Sequence, residues 1–294
     1  MRLVITLVAA GREALQEAGE ALAQALPAPE AVSLLEPGKA EDWVFPQAQL
    51  PSSERLRAIL EDLPVDYSWQ PLAGRQKRLL LADMDSTIIG CECLDELADF
   101  AGKKAEVAAI TERAMRGELE FEAALRARVR LLAGLDIGAL EACFEQRVRL
   151  NPGAHALIAS MASLGARCVL VSGGFSFFTQ RVAALAGFDA EFSNAFAIEG
   201  EKLTGEVIEP ILGKEAKAAC LIQECAQQGI HPAEALAIGD GANDGAMIAR
   251  AGLGLAYHAK PALRALANGR IQFTDLTAAL YFQGISGDRH IRPV

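Results

Sequence analysis

The run Leu79-Leu80-Leu81-Ala82-Asp83-Met84-Asp85-Ser86-Thr87 decides the reading of this chain. Successive apolar residues are the pattern of a parallel strand buried on both faces, and here they stop abruptly at two carboxylates one residue apart. Ligands of open α/β sheets gather beyond the carboxyl ends of such strands, so chemistry is expected at this point. On an extended backbone Asp83 and Asp85, at i and i+2, point to one side and repel each other unless a cation or a shared proton intervenes. Alone, Asp-x-Asp fits a solvated acidic turn equally well, because the tripeptide also serves calcium loops and metal-dependent glycosyltransferases.

Two further strand ends favour the chemical reading. Cys168-Val169-Leu170-Val171 runs into Ser172-Gly173-Gly174-Phe175, and Ala235-Leu236-Ala237-Ile238 runs into Gly239-Asp240-Gly241-Ala242-Asn243-Asp244. Each is a short apolar strand, a glycine turn and then a helical pattern. A hydroxyl followed by two glycines presents an Oγ and open backbone N–H groups to a phosphate oxygen, although Ser172 also serves as a plain helix N-cap. In the third segment Asp240, Asn243 and Asp244 crowd the mouth of a helix and supply the oxygen ligands that magnesium favours. A dinucleotide-binding fingerprint fails there, since Asp244 stands where its third glycine belongs and would repel a pyrophosphate.

With 294 residues, one large domain or two modest ones are expected. A formal net charge of −10 argues against nucleic-acid or anionic-membrane binding. It also means that an anionic substrate needs a local cationic site, for which Lys217, Arg128 and a metal are the candidates. Leu3 to Ala10 is too short an apolar run for a signal peptide, and no apolar stretch of ~20 residues suggests a membrane span. The six cysteines are scattered without a matched Cys-x-x-Cys pair, which fits a reduced, cytoplasmic protein. Cys91-Glu92-Cys93 could be half of a zinc site, but the histidines show no ligand spacing to complete it.

The chain divides at a polar cluster, Gly74-Arg75-Gln76-Lys77-Arg78, which reads as a linker. Residues 1–74 alternate strand (2–9), helix (13–26), strand (31–35), helix (52–63) and the start of a strand (65–67), a small α+β unit. Residues 75–294 carry the three strand ends, and between the first and second lies a helical stretch at about 91–150, too long for a plain crossover and read as an inserted cap. Within it the helix from Glu118 to Leu132 should bury Phe121, Leu125, position 128 and Leu132. Position 128 is an arginine. Arg126 and Arg130 fall on the solvated face, whereas Arg128 is either a snorkelling side chain or a guanidinium aimed at a substrate carboxylate.

Asp83-x-Asp85-x-Thr87, Val171-Ser172-Gly173-Gly174, Lys217 and the segment Gly239 to Asp244 together resemble the four motifs of the haloacid dehalogenase superfamily, in order and spacing. The local detail around Asp83, with Glu92 and the Gly239–Asp244 segment, is most similar to the phosphoserine phosphatases of that superfamily, over roughly residues 75 to 285. The resemblance implies an α/β fold, a Rossmann-like parallel sheet with an inserted helical cap, and it likens residues 1–74 to the ACT domains that precede some bacterial members. That small unit then either binds a regulatory amino acid or serves dimerisation or stability. A magnesium-dependent phosphomonoesterase acting on O-phosphoserine, the last step of serine biosynthesis, is implied. Asp83 is the expected nucleophile, already ionised and needing no activation, and Asp85 the acid/base. Magnesium is expected on Asp83, Asp240 and the carbonyl of Asp85, while Lys217, Ser172, Gly173 and Asn243 hold the phosphoryl oxygens. Asp244 is expected behind them, orienting Lys217 or a metal-bound water. Lys217 is preferred to Lys214 because Ala216-Lys217-Ala218 fits the family pattern. Glu92, otherwise one member of an acidic helical stripe with Asp95, Glu96 and Asp99, is implied to hold the substrate ammonium, with Phe121 and Arg128 closing over the substrate and binding its carboxylate.

Other functions use part of this set. A signalling domain whose output is a phosphorylated aspartate needs Asp83 and a metal but neither Asp85 as acid/base nor a cap. A serine sensor with a vestigial site should lack a motif residue, and none is missing. A phosphotransferase that passes the phosphoryl group to another alcohol, or a phosphatase for a different small phosphomonoester, remains the alternative within enzymes.

Overall fold

The computed structural model describes residues 1–49, 51–115 and 118–291. The N-terminal unit runs β1 (Arg2–Ala9), α1 (Arg12–Ala25), β2 (Ala31–Glu36), β3 (Ala40–Pro46), α2 (Ser53–Leu60) and β4 (Val65–Pro71). After β5 (Leu79–Ala82) come the helices α3 (Cys93–Phe100), α4 (Lys104–Met115), α5 (Phe121–Arg130) and α6 (Ile137–Arg147) in the stretch read as a cap. The chain continues through α7 (Ala154–Ser163), β6 (Arg167–Phe175), α8 (Ser176–Ala186), a hairpin of β7 (Ala190–Glu199) and β8 (Lys202–Ile208), and α9 (Lys214–Gln228). It ends in β9 (Ala235–Gly239), α10 (Gly245–Arg250), β10 (Leu253–Tyr257), α11 (Pro261–Arg264), β11 (Gly269–Ile271) and α12 (Ala278–Phe282).

β5 lies between β6 and β9 and is parallel to both, with Leu79 opposite Arg167 and Ala235. Its side chains alternate between two cores, as a strand covered on both faces must. Leu80 and Ala82 pack with Leu157 of α7, Phe178 of α8 and Phe282 of α12, whereas Leu79 and Leu81 pack with Leu221 of α9 and Ile248 of α10. The ends of β5, β6 and β9 therefore open at one edge of the sheet, where the three quoted loops meet.

In the N-terminal unit the sheet order is β2-β3-β1-β4, a βαββαβ arrangement with antiparallel neighbours. The sequence reading passes over β3, and the reason is Asp42. This carboxylate is buried at a position where strand periodicity calls for an apolar residue, and it is satisfied by Thr6 Oγ1 at 2.7 Å and Arg75 Nη1 at 2.6 Å. The supposed linker is also well bonded, since Lys77 Nζ donates to the carbonyls of Gly74 and Ala233, each at 3.1 Å.

β4 pairs antiparallel with β11, Ser68 opposite Gly269 and Tyr67 opposite Arg270, so one sheet of eleven strands runs through the described residues. Two buried charges fasten this junction. Arg270 donates to the carbonyls of Leu60, Glu61, Leu63 and Val65 and lies over the Tyr67 and Phe273 rings. Asp66 accepts the backbone N–H groups of Gln272, Phe273 and Thr274. Buried charges persist when their hydrogen-bond capacity is met in this way. Among the described residues no helix is long and apolar enough to cross a membrane.

Candidate active site

The backbone of Asp83 leaves the sheet on a last bond from its N–H to the Ile238 carbonyl at 3.0 Å, so the carboxylate is fixed at the boundary between β5 and β9. Asp83 Oδ1 accepts from the Met84 N–H at 2.8 Å and meets Lys217 Nζ at 2.7 Å. Lys217 comes from the first turn of α9, and its Nζ lies equally close, 2.7 Å, to Asp244 Oδ1. The other oxygen of Asp244 accepts the N–H groups of Asp240 and Gly241, at 3.2 and 3.0 Å. Asp83, Lys217 and Asp244 are all buried. Burial alone would lower the lysine pKa, but Asp244 and Asp83 outweigh it and hold Lys217 above its ordinary value, firmly protonated. The side chain of Lys214, the competing lysine, lies outside the described ones.

Carboxylates crowd this point. Oxygens of Asp83, Asp240 and Asp244 lie within 4.8 Å of one another. Burial, reinforced by Asp244, raises the pKa of Asp83, with Lys217 pulling the other way. Asp240 is pushed up to about 6 by burial and then by Asp244 and Glu92. Such an oxygen cluster, short of positive charge, matches the donor set of a hard divalent cation. Because Asp244 already spends both oxygens on Lys217 and on backbone N–H groups, Asp83 and Asp240 are the carboxylates with capacity to spare.

Asp85 occupies a different wall. After Asp83 the backbone turns, and Ser86 adopts the left-handed conformation at φ 56°, an unusual state for a residue with a side chain and one that collects at functional sites. Asp85 Oδ1 accepts the N–H of Cys93 at 3.0 Å, which leaves Oδ2 towards Ser172, 3.5 Å from its Oγ. Burial, then Glu92, pushes the Asp85 carboxyl up to about 7. Ser172 Oγ in turn accepts the Gly174 N–H at 2.9 Å, so the serine also caps its own turn.

The cap brings the remaining residues over this floor. A Cβ on Gly173 would lie 3.3 Å from Phe121 Cζ, which places the ring directly on the glycine turn. Arg128 is half-buried and its Nε, out of reach of solvent, has no hydrogen-bond partner among the described residues. Burial lowers its pKa while the carboxylates of Asp95, Glu92 and Asp85 nearby oppose that. Its neighbour Arg126 instead pairs with Glu209. The acidic stripe on α3 is likewise sorted: Glu96 and Asp99 pair with Arg147 at 3.7 and 3.3 Å, whereas Glu92 is exposed and accepts from Ser86 Oγ at 2.7 Å. Asn243 is half-buried with its Oδ1 folded over Gly241, where a Cβ would meet it at 2.3 Å. Sequence reasoning misses Ser86 as the anchor of Glu92. Its position inside the Asp83–Thr87 turn was the available signal.

The sequence profile of haloacid dehalogenase-like hydrolases matches residues 80–249. A phosphoserine phosphatase of Polaromonas sp. is 47% identical over 211 residues, covering 70% of this chain and 89% of the relative. One from Archaeoglobus fulgidus is 44% identical over 225 residues, covering 76% of this chain but 65% of the relative. Among solved structures, a haloacid dehalogenase family hydrolase from Salmonella enterica serovar Typhi superposes over 96% of this chain and 98% of its own, with a TM-score of 0.85 and 28% identity. A phosphoserine phosphatase solved as a phospho-aspartyl intermediate analogue covers 70% of this chain and 99% of its own, with a TM-score of 0.66 and 37% identity.

Proposed function

The chain belongs to the haloacid dehalogenase-like hydrolases, in the branch of the phosphoserine phosphatases, and from that premise we propose that it hydrolyses O-phosphoserine to serine and phosphate, in the cytoplasm, as the closing step of serine synthesis. Residues 75–294 carry the chemistry in this reading, and residues 1–74 take no part in it. The observation that carries the substrate assignment is the half-buried Arg128, whose Nε has no hydrogen-bond partner among the described residues and whose charge is felt by Asp95, Glu92 and Asp85. A carboxylate is its natural bidentate partner, and Glu92, exposed and held by Ser86, offers a counter-charge to the substrate ammonium.

Asp83 attacks phosphorus, forming an aspartyl-phosphate as the bond to the serine oxygen breaks. Asp85, with a pKa near 7, gives its proton to that leaving oxygen and then takes one from the water that splits the aspartyl-phosphate. Lys217 and Ser172, with the Gly173 N–H and Asn243, stabilise charge on the phosphoryl oxygens. Asp83 and Asp240 fit Mg²⁺, with the Asp85 carbonyl as a further ligand, and the ion would offset repulsion between nucleophile and phosphate. Asp244 orients Lys217, a role supported by their 2.7 Å contact.

The test is phosphate release from a panel of phosphomonoesters with magnesium, with and without acceptor alcohols, and with a chelator. Phosphoserine should be the preferred substrate, the chelator should abolish turnover and calcium should restore it poorly. Transfer to an added alcohol in place of phosphate release would make the protein a phosphotransferase, and preference for a phosphomonoester lacking a carboxylate would remove the assignment of Arg128.

A further inference from the structure

β6 and β7 fall out of step where the glycine turn lies. Val171 pairs with Phe192 and Phe175 with Asn194, so Ser172, Gly173 and Gly174 stand opposite the single residue Ser193. Such a bulge takes backbone groups out of the ladder and aims them elsewhere, and those groups then need other partners. The Gly173 carbonyl finds one in Asn194, whose Nδ2 donates to it at 2.8 Å. The same carboxamide reaches across to the segment that leads into α9. Its Oδ1 accepts the Leu212 N–H at 2.7 Å, and its Nδ2 also approaches the Leu212 carbonyl at 3.4 Å. Asn194 is buried, and it spends both donors and its acceptor on two loops far apart in sequence.

What those loops carry gives the residue its meaning. One holds Ser172 and the Gly173 peptide. The other ends at Gly213, immediately before the helix whose first turn holds Lys217. Phe121 rests on both, 3.3 Å from a Cβ placed on Gly173 and 3.8 Å from one placed on Gly213. We propose that Asn194 is a positioning residue for phosphoryl transfer: by clamping the Gly173 carbonyl to Leu212 it fixes the plane of the Gly173–Gly174 peptide, whose N–H donates to Ser172 Oγ, and so sets the place of that turn relative to Lys217. The inference rests on the phosphatase reading above. It differs from the roles of Arg128 and Glu92, because the phosphoryl site is common to every substrate whereas they recognise the serine end.

Two variants of the full chain test this, assayed with magnesium on phosphoserine and on an aryl phosphate. Asn194→Ala removes the clamp. Asn194→Asp keeps the shape and the Leu212 N–H acceptor but sets a carboxylate against two carbonyls. Both should lower kcat/KM on the two substrates by the same factor, roughly 10–100-fold as for other residues that orient a first shell, with Asp the worse. Inhibition by inorganic phosphate should weaken in parallel, and because a buried carboxylate facing two carbonyls also lowers the thermal midpoint of the Asp variant, both variants are assayed well below their midpoints. Wild-type kinetics in a folded Asn194→Asp protein, or a loss confined to phosphoserine, would overturn the proposal. So would a lower thermal midpoint with unchanged kinetics. If the wild-type chain releases phosphate from neither substrate, it is the phosphatase reading that fails instead.

Discussion

Asp83 and Asp85 sit one residue apart and live in different surroundings, and that difference separates their predicted phenotypes. Asp83 touches Lys217 and must supply a bond to phosphorus, so Asp83→Asn should abolish turnover and any hydroxylamine-sensitive phosphorylation of the protein. Retained activity in a clean preparation would end the covalent mechanism. Asp85→Asn should instead lower turnover of phosphoserine by roughly 10²–10⁴, the usual worth of general acid–base catalysis. The proton on Asp85 is present below about 7 and lost above it, so kcat/KM for phosphoserine should fall as pH rises through about 7. That limb should vanish in Asp85→Asn; its persistence there would assign it to another group. Arg128 makes the third residue-scale prediction. Arg128→Ala should lose roughly 2–5 kcal/mol of transition-state binding for phosphoserine, the range for truncating one partner of a buried charge pair. Activity on an aryl phosphate should hardly change, and equal losses on both substrates would make Arg128 a structural part of the cap.

At the level of single strands, β5, β6 and β9 were legible because each is a continuous apolar run that ends in chemistry-bearing residues, and their loops do meet at one edge. β3 was not, because Asp42 is buried inside it and breaks the apolar alternation, a substitution that only Thr6 and Arg75 together make tolerable. The Asn194 clamp was equally invisible, since a bulge between two parallel strands leaves no periodic trace. The helix of Arg128 was legible for the opposite reason, a charge interrupting an apolar stripe. The end of β9 carries its own prediction. A Cβ on Gly239 would fall 2.4 Å from Asp244 Oδ2 and 2.7 Å from its Cβ, so Gly239→Ala must push Asp244 off Lys217 and off the loop N–H groups. Overpacking of this kind costs roughly 1–3 kcal/mol, and turnover should fall with it on every phosphomonoester. A variant with wild-type turnover would show that Asp244 need not stay where it is.

Across the whole molecule, the β4–β11 seam makes a single sheet out of two sequence regions, and unfolding should report this. Both tryptophans, Trp43 and Trp69, lie in the N-terminal unit, so indole fluorescence follows that unit while residual phosphate release follows the other. The two should be lost together in one cooperative transition; fluorescence collapsing well before activity would show independent domains. The order in which the strands are made has a different implication from their final arrangement. β1 to β4 are contiguous and can close as soon as they are synthesised, but β5 must wait for β6 and β9, and the free side of β4 must wait for β11. A nascent chain thus carries unpaired, apolar strand edges through most of elongation, the condition under which intermolecular pairing competes with folding. Refolding from denaturant should accordingly restore tryptophan emission before enzymatic competence, and its yield should fall as protein concentration rises.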